Sequence, residues 1–126
     1  MSADVVARTI KEYFAALRAM DEKAWVNTFA VDAVSYDPVG TPAIEGHVKL
    51  AEFFQTITAA FKEVGLTEDD VFIAGDGAAV KWTGRGTSKA GKSVKFEGID
   101  AFEFNEAGKI RTLRAYWNPA EMVAQL

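Results

Sequence analysis

An α+β fold, with three N-terminal helices packed against a cone-shaped, curved antiparallel sheet, is the class this sequence predicts. Two observations lead there. Apolar residues recur at three- and four-residue spacing over most of the first 63 positions. From about residue 70 the pattern changes to alternating runs separated by turn residues, the order of an α+β protein. No repeat, low-complexity stretch or linker interrupts the 126 residues, a length that suits one domain, residues 1–126, with one core.

The elements follow in order. Residues 4–20 form an amphipathic helix, with Val6, Ile10, Tyr13, Phe14 and Leu17 on its inner stripe and Arg8, Lys11, Glu12 and Arg18 outside. Ser2 and Asp4 are both acceptable N-caps. A short second helix covers 21–30, with Trp25, Val26 and Phe29 inward. Val34 to Asp37 is a short strand ended by Pro38, which cannot donate to a ladder. Residues 47–63 return to helical spacing through Leu50, Phe53, Phe54, Ile57 and Phe61. Strands are then expected at 71–74, 79–87, 93–104 and 110–117. The turns between them are Asp76-Gly77, Lys89 to Lys92 and Asn105 to Gly108. Gly84, Gly86 and Gly98 are candidate bulges or bends that would curve the sheet. A curved sheet wrapped against helices leaves a conical cavity for a ligand.

Composition excludes several functions. Hydrophobic residues make up 49% and charged residues 25%, the profile of a soluble globular protein. The net charge is −4 and no basic stripe interleaves with aromatics, which argues against a nucleic-acid partner. There is no cysteine, so thiol chemistry is excluded. A single histidine, His47, rules out His-based triads and multi-histidine metal sites. No run approaches a membrane-spanning length and no signal-peptide pattern opens the chain, so no membrane partner is expected and the expected location is the cytoplasm.

Three polar groups fall on apolar faces. The first is Asp100. At a period of two, Phe96, Gly98, Asp100, Phe102 and Phe104 share a face, while Lys95, Glu97, Ile99, Ala101 and Glu103 take the wetter one. An inward Asp100 stays protonated, because an ionised carboxylate in an apolar interior costs several kcal/mol, roughly in the sense of buried-charge estimates. A neutral carboxylic acid there is a hydrogen-bond donor, the kind of group that stabilises an oxyanion. The structural alternative is an aspartate satisfied by backbone amides, or a strand facing the other way. The second group, Tyr13, is alternatively a core tyrosine with an ordinary partner. The third, Asp37, shares a face with Ser35 and precedes Pro38, so a turn aspartate is its alternative. Together the three make the layout for proton abstraction beside a carbonyl: two donors on the oxygen and a carboxylate base over the carbon.

The run from Phe29 to Gly40, through Val34-Ser35-Tyr36-Asp37-Pro38, followed by Pro42, Ile44, Gly46 and Phe53, resembles the base-bearing strand and helix of the ketosteroid isomerases. So does the pair of C-terminal strands running from Ile99-Asp100-Ala101-Phe102 to Ala115-Tyr116-Trp117, and Tyr13 has the matching place on the first helix. This family belongs to the SnoaL-like group of folds like nuclear transport factor 2. The resemblance implies that Asp37 is the general base, that Tyr13 and Asp100 are the oxyanion-hole donors, and that Trp117 is an aromatic wall. Phe54, Phe29 and Phe102 are the further substrate contacts it suggests. The implied reaction moves a carbon–carbon double bond into conjugation with a ketone, with no metal or organic cofactor. Phe29 and Phe54 stand where members of the family can carry tyrosines that hydrogen-bond to the catalytic tyrosine, so the substrate is less defined than the chemistry.

The other singled-out residues read as structural: Trp25 and Trp82 as core aromatics, His47 as a solvated residue at a helix start. Arg111, Arg114, Lys81 and Arg85 form a charged outer sheet face that would also serve a homodimer. Three functions fit: an isomerase of a steroid-like ketone, a cyclase or dehydratase using the same acid and base on a polyketide-like substrate, and a non-catalytic module binding an apolar ligand or a partner.

Overall fold

The computed structural model describes residues 2–126. Helix α1 runs over Ala3–Arg18. The Ser2 hydroxyl caps it by accepting the Val5 N–H at 3.3 Å, with Asp4 in the positive first turn and Arg18 in the last. Asp21 caps α2 (Glu22–Val26), accepting from the Ala24 N–H. Then come β1 (Phe29–Tyr36), the short β2 (Ile44–Glu45), α3 (Gly46–Thr58), β3 (Phe61–Ala74), β4 (Gly77–Ser88), β5 (Ser93–Phe104), β6 (Ile110–Trp117) and α4 (Pro119–Val123). Among the described residues, no helix is long and apolar enough to cross a membrane.

The strands form one sheet in the order β2-β1-β6-β5-β4-β3. Consecutive hairpins make β3 to β6 antiparallel, as expected. One pairing departs from the all-antiparallel expectation: β1 lies parallel to β6, with Ser35 opposite Leu113. These strands are far apart in the chain, so no tight turn dictates their direction. The parallel pairing brings the end of β1 alongside the end of β6.

Two helices end earlier than their apolar spacing suggests. Phe29 lies on β1, not on α2, and Phe61 lies on β3, not on α3. Strand β3 therefore starts nine residues or more before the expected onset near 70. Its register shifts between Phe61 and Glu63, so the buried Phe61 and Val64 stand three residues apart and mimic a helical repeat. That bulge, a second between Glu68 and Asp70, and one between Glu103 and Phe104 bend the sheet. The glycines are not among the bulges. Pairing continues unbroken through Gly84, Gly86 and Gly98, and each lies where a neighbour comes too close for a Cβ. The β3–β4 turn centres on Gly75-Asp76, with Gly75 at φ +57, rather than on Asp76-Gly77.

The core fills the concave side of the sheet. Val6, Ile10 and Phe14 of α1 are buried with Val80, Phe102, Phe104 and Leu113 of the sheet. Each fully buried side chain of this size contributes about 1.5–3 kcal/mol relative to exposure. His47 is not simply solvated: it is half-buried, and its Nε2–H donates to the Phe29 carbonyl at 2.9 Å, tying α3 to β1. On the convex side Lys81 pairs with Asp69 and Glu97, and Arg111 and Arg114 share Glu103. Phe72, Ile99 and Tyr116 nonetheless stand 70%, 47% and 51% exposed there.

Candidate functional site: an apolar cone with two unlike aspartates

A cone-shaped cavity lies between the helices and the concave sheet. Its wall is aromatic and aliphatic. Helix α1 supplies Tyr13 and Leu17, α2 supplies Trp25, and α3 supplies Phe53, Phe54 and Ile57. The sheet contributes Val64 and Leu66 from β3, Trp82 from β4, Phe96 and Asp100 from β5, and Trp117 from β6, while Asp37 stands one residue past β1. The structure thus brings Tyr13, Asp37 and Asp100 onto one cavity from three separate elements.

Strand alternation carries Asp100 inward. Val94, Phe96, Asp100, Phe102 and Phe104 are buried while Lys95, Glu97 and Ile99 are exposed. Asp100 pairs with Val80 on one side and Ala115 on the other, is 2% exposed, and its Oδ2 has no hydrogen-bond partner. Burial pushes its pKa well above the ordinary carboxylate range; the negative charge of Asp37 adds to the rise, and the Trp82 indole opposes it. Tyr13 is likewise raised well above a normal phenol, first by burial and then by Asp100 and Asp37, with Trp25 opposing. Both groups are thereby biased toward their protonated forms, which can donate a hydrogen bond.

Asp37 differs. It is half-buried where β1 gives way to the Pro38 loop, and its Oδ1 accepts the Trp117 indole N–H at 2.6 Å. Burial raises its pKa to about 6, and the bond from Trp117 holds it down. Near neutral pH it is a carboxylate with a basicity matched to proton transfer. Two aspartates on one cavity are thus raised to different degrees by their surroundings.

Trp117 and Phe54 line the cavity. Phe29 and Phe102, expected as substrate contacts, stand behind Tyr13 instead, with ring centres 5.9 and 5.2 Å from its ring. They pack the phenol rather than face the cone. Conversely, Trp25 and Trp82, which the sequence marks only as core aromatics, are cavity-lining residues. Trp82 sits opposite Gly98, where a Cβ would lie 2.6 Å from the Trp82 ring and 2.7 Å from Trp117 Cβ. The missing side chain lets both indoles meet across the cavity floor, ring centres 6.1 Å apart. Among the described residues, no cluster of three or more His, Cys, Asp or Glu side chains is placed to hold a metal ion.

This arrangement of a cone on a curved sheet has close counterparts. Residues 10–113 match the SnoaL-like domain family, and the chain belongs to it. It is 32% identical over 124 residues to the steroid Delta-isomerase of Nocardioides simplex, covering 98% of this chain and 97% of that protein. Among solved structures, SalBIII, an epoxide hydrolase/cyclase-like enzyme studied for its role in pyran ring formation in the polyether salinomycin, superposes with a TM-score of 0.81. It is 26% identical, with 92% of each chain covered. A Mycobacterium tuberculosis protein solved in complex with estradiol-17β-hemisuccinate shares the fold, with a TM-score of 0.81 at 24% identity over 93% of this chain and 96% of its own.

Asp100 is costly to the fold, which leads to a stability test. Asp100→Leu removes a buried polar group with an unpartnered oxygen and is expected to stabilise the protein by about 1–3 kcal/mol in denaturant unfolding. The gain depends on pH. Because the folded-state pKa is raised, the wild-type protein is favoured below the unfolded-state aspartate value and loses stability as pH rises toward the folded value. The gap between variant and wild type should therefore widen from pH 4 upward. A constant gap would place the carboxyl in an ordinary environment.

Proposed function

We propose that the protein is a steroid Delta-isomerase-like enzyme: without a cofactor, it shifts a carbon–carbon double bond into conjugation with a ketone in an apolar, steroid-like substrate. One observation carries this reading. A carboxylate base, Asp37, and two neutral donors, Tyr13 and Asp100, face the same apolar cavity. The ketone oxygen sits between the Tyr13 hydroxyl and the protonated Asp100. Asp37 removes a proton from the carbon between ketone and alkene, and the electron pair flows onto the oxygen as a dienolate. The two donors bind that developing charge more strongly than the neutral ketone, which lowers the barrier. Asp37 then returns the same proton two carbons along, so no atom is gained or lost. Trp117 holds the carboxylate over the substrate and forms part of the aromatic wall with Phe54. The 32% identity to a steroid Delta-isomerase over nearly the whole chain supports the assignment.

A second reading is favoured by the 26% identity to an epoxide hydrolase/cyclase-like enzyme: the same base and donors closing or dehydrating a polyketide-like ring. The two readings part on one assay. Mixed with an unconjugated 3-ketosteroid, wild-type protein is expected to produce the ultraviolet absorbance of the conjugated enone. Asp37→Asn should lower turnover by about 10²–10⁴-fold while leaving ligand binding intact. No conjugation by wild type, or equal rates in both proteins, rules out the isomerase.

The pH profile is a separate check. Only the ionised base reacts, so kcat/KM should rise with pH through about 6, the value to which Asp37 is raised, and level off above it. A profile flat from pH 4 to 8 removes Asp37 from the role.

We also propose that the convex sheet face joins two copies of the chain as a homodimer. Ile99 and Tyr116 are opposite each other in register and Phe72 stands on the same side, an apolar patch framed by paired charges. Sedimentation at micromolar concentration should give a dimer in wild type and a monomer in Ile99→Lys/Tyr116→Lys. A monomeric wild type refutes it.

A further inference from the structure

The cavity contains two more polar groups that the proposed reaction leaves unused. Trp25 and Trp82 are each 2% exposed, and each indole Nε1 is buried without a hydrogen-bond partner. Unpaired buried N–H groups are rare and call for an explanation. Both line the cavity that holds Tyr13 and Asp100.

Their positions are paired with those donors. The Trp25 ring lies 5.8 Å from the Tyr13 ring at 47°. The other rings packed on Tyr13 belong to Phe14, Phe29 and Phe102, so Trp25 alone among these neighbours brings a polar atom. Trp82 lies opposite Gly98, two residues along the same inward face from Asp100, and its ring occupies the space that a Cβ at 98 would take. It is thus the diagonal cross-strand neighbour of the Asp100 carboxyl, within reach of a long aromatic side chain.

We propose that Trp25 and Trp82 are positioning residues: the Trp25 N–H donates to the Tyr13 hydroxyl oxygen and the Trp82 N–H to a carboxyl oxygen of Asp100, turning both acidic protons toward one ligand oxygen. The inference rests on the donor roles of Tyr13 and Asp100. Its physical basis is that an indole only donates, whereas a phenol and a carboxylic acid each donate and accept. Each pair therefore has one polarity, running from indole to acid to ligand. A donor that itself accepts a hydrogen bond is a stronger donor, most of all in a low-dielectric site. Phe29 and Phe54 carry no hydroxyl to do this for Tyr13, and Trp25 touches both, with ring centres at 4.9 and 5.3 Å. The deep end of the cone therefore selects a ligand oxygen that gains negative charge, an enolate or phenolate, and disfavours a ligand group that donates.

Para-nitrophenol tests this, because absorbance reports its ionisation when bound; para-nitrotoluene has nearly the same shape and no hydroxyl. Trp25→Phe and Trp82→Phe should each weaken para-nitrophenol binding about threefold to tenfold, the effect of one hydrogen bond. Each should also lower the ionised fraction of bound ligand and leave para-nitrotoluene affinity unchanged. In a Tyr13→Phe background, Trp25→Phe should add nothing. Equal losses for both ligands, or none for either, overturn the inference and leave the tryptophans as packing. Tyr13→Phe and Asp100→Leu, which each remove a donor, separate the two levels. If these weaken para-nitrophenol binding and the tryptophan variants do not, only the positioning role falls; if they too have no effect, the donor reading falls and this inference with it. Should a variant fail to fold, the indole N–H resonances of wild type serve instead. Those of Trp25 and Trp82 should move downfield with para-nitrophenol and not with para-nitrotoluene, and unmoved resonances overturn the proposal.

Discussion

Burying a carboxyl group, that of Asp100, inside an apolar cavity constrains much of this molecule. Asp100 has to lie among side chains that give no charge a reason to form, so β5 alternates Phe96, Phe102 and Phe104 around it. It needs space beside it, which Gly98 leaves to the indoles of Trp82 and Trp117. It also needs a helix to close the cone above the sheet, and α1 does so with Tyr13 on its inner stripe. The same burial that costs stability raises its pKa, so stability and the proposed donor role are opposed at this residue.

The second aspartate shows how small a change of setting suffices. Asp37 is raised by burial too, yet only to about 6, because it stands at the loop end of β1 and receives the Trp117 N–H. One indole N–H, from Trp117, favours its ionised form. Asp100, deeper among apolar side chains and beside the negative charge of Asp37, is raised further in spite of the Trp82 indole. The sheet topology makes this contrast: β1 runs parallel to β6, so the position just past Tyr36 meets the last residue of β6.

Much of the fold was legible because it is local. Strands β5 and β6 fall at the positions the alternation predicts, and α1 follows its apolar stripe to within two residues. The misreadings have physical causes. Phe29 and Phe61 continue the helical arithmetic of α2 and α3, but each belongs to the following strand, and the bulge after Phe61 gives β3 a three-residue repeat of its own. The glycines at 84, 86 and 98 are not bulges but close-approach positions, and that depends on which ring or backbone atom lies opposite. Phe102 shares the inward face with Asp100 as expected but ends behind Tyr13, since facing inward does not distinguish the wall of a cone from its packing.

The order of residues by itself placed Asp100 on the same strand face as Phe96, Phe102 and Phe104, and Tyr13 on the apolar stripe of the first helix, because both follow from the period of one element. Only the tertiary structure decided that these groups share one cavity with Asp37, that Trp117 reaches across 80 positions to hold that carboxylate, and that the N–H groups of Trp25 and Trp82 are buried there without partners. Such contacts depend on strand order, register and bulge phase summed over the whole sheet. No single segment carries that information.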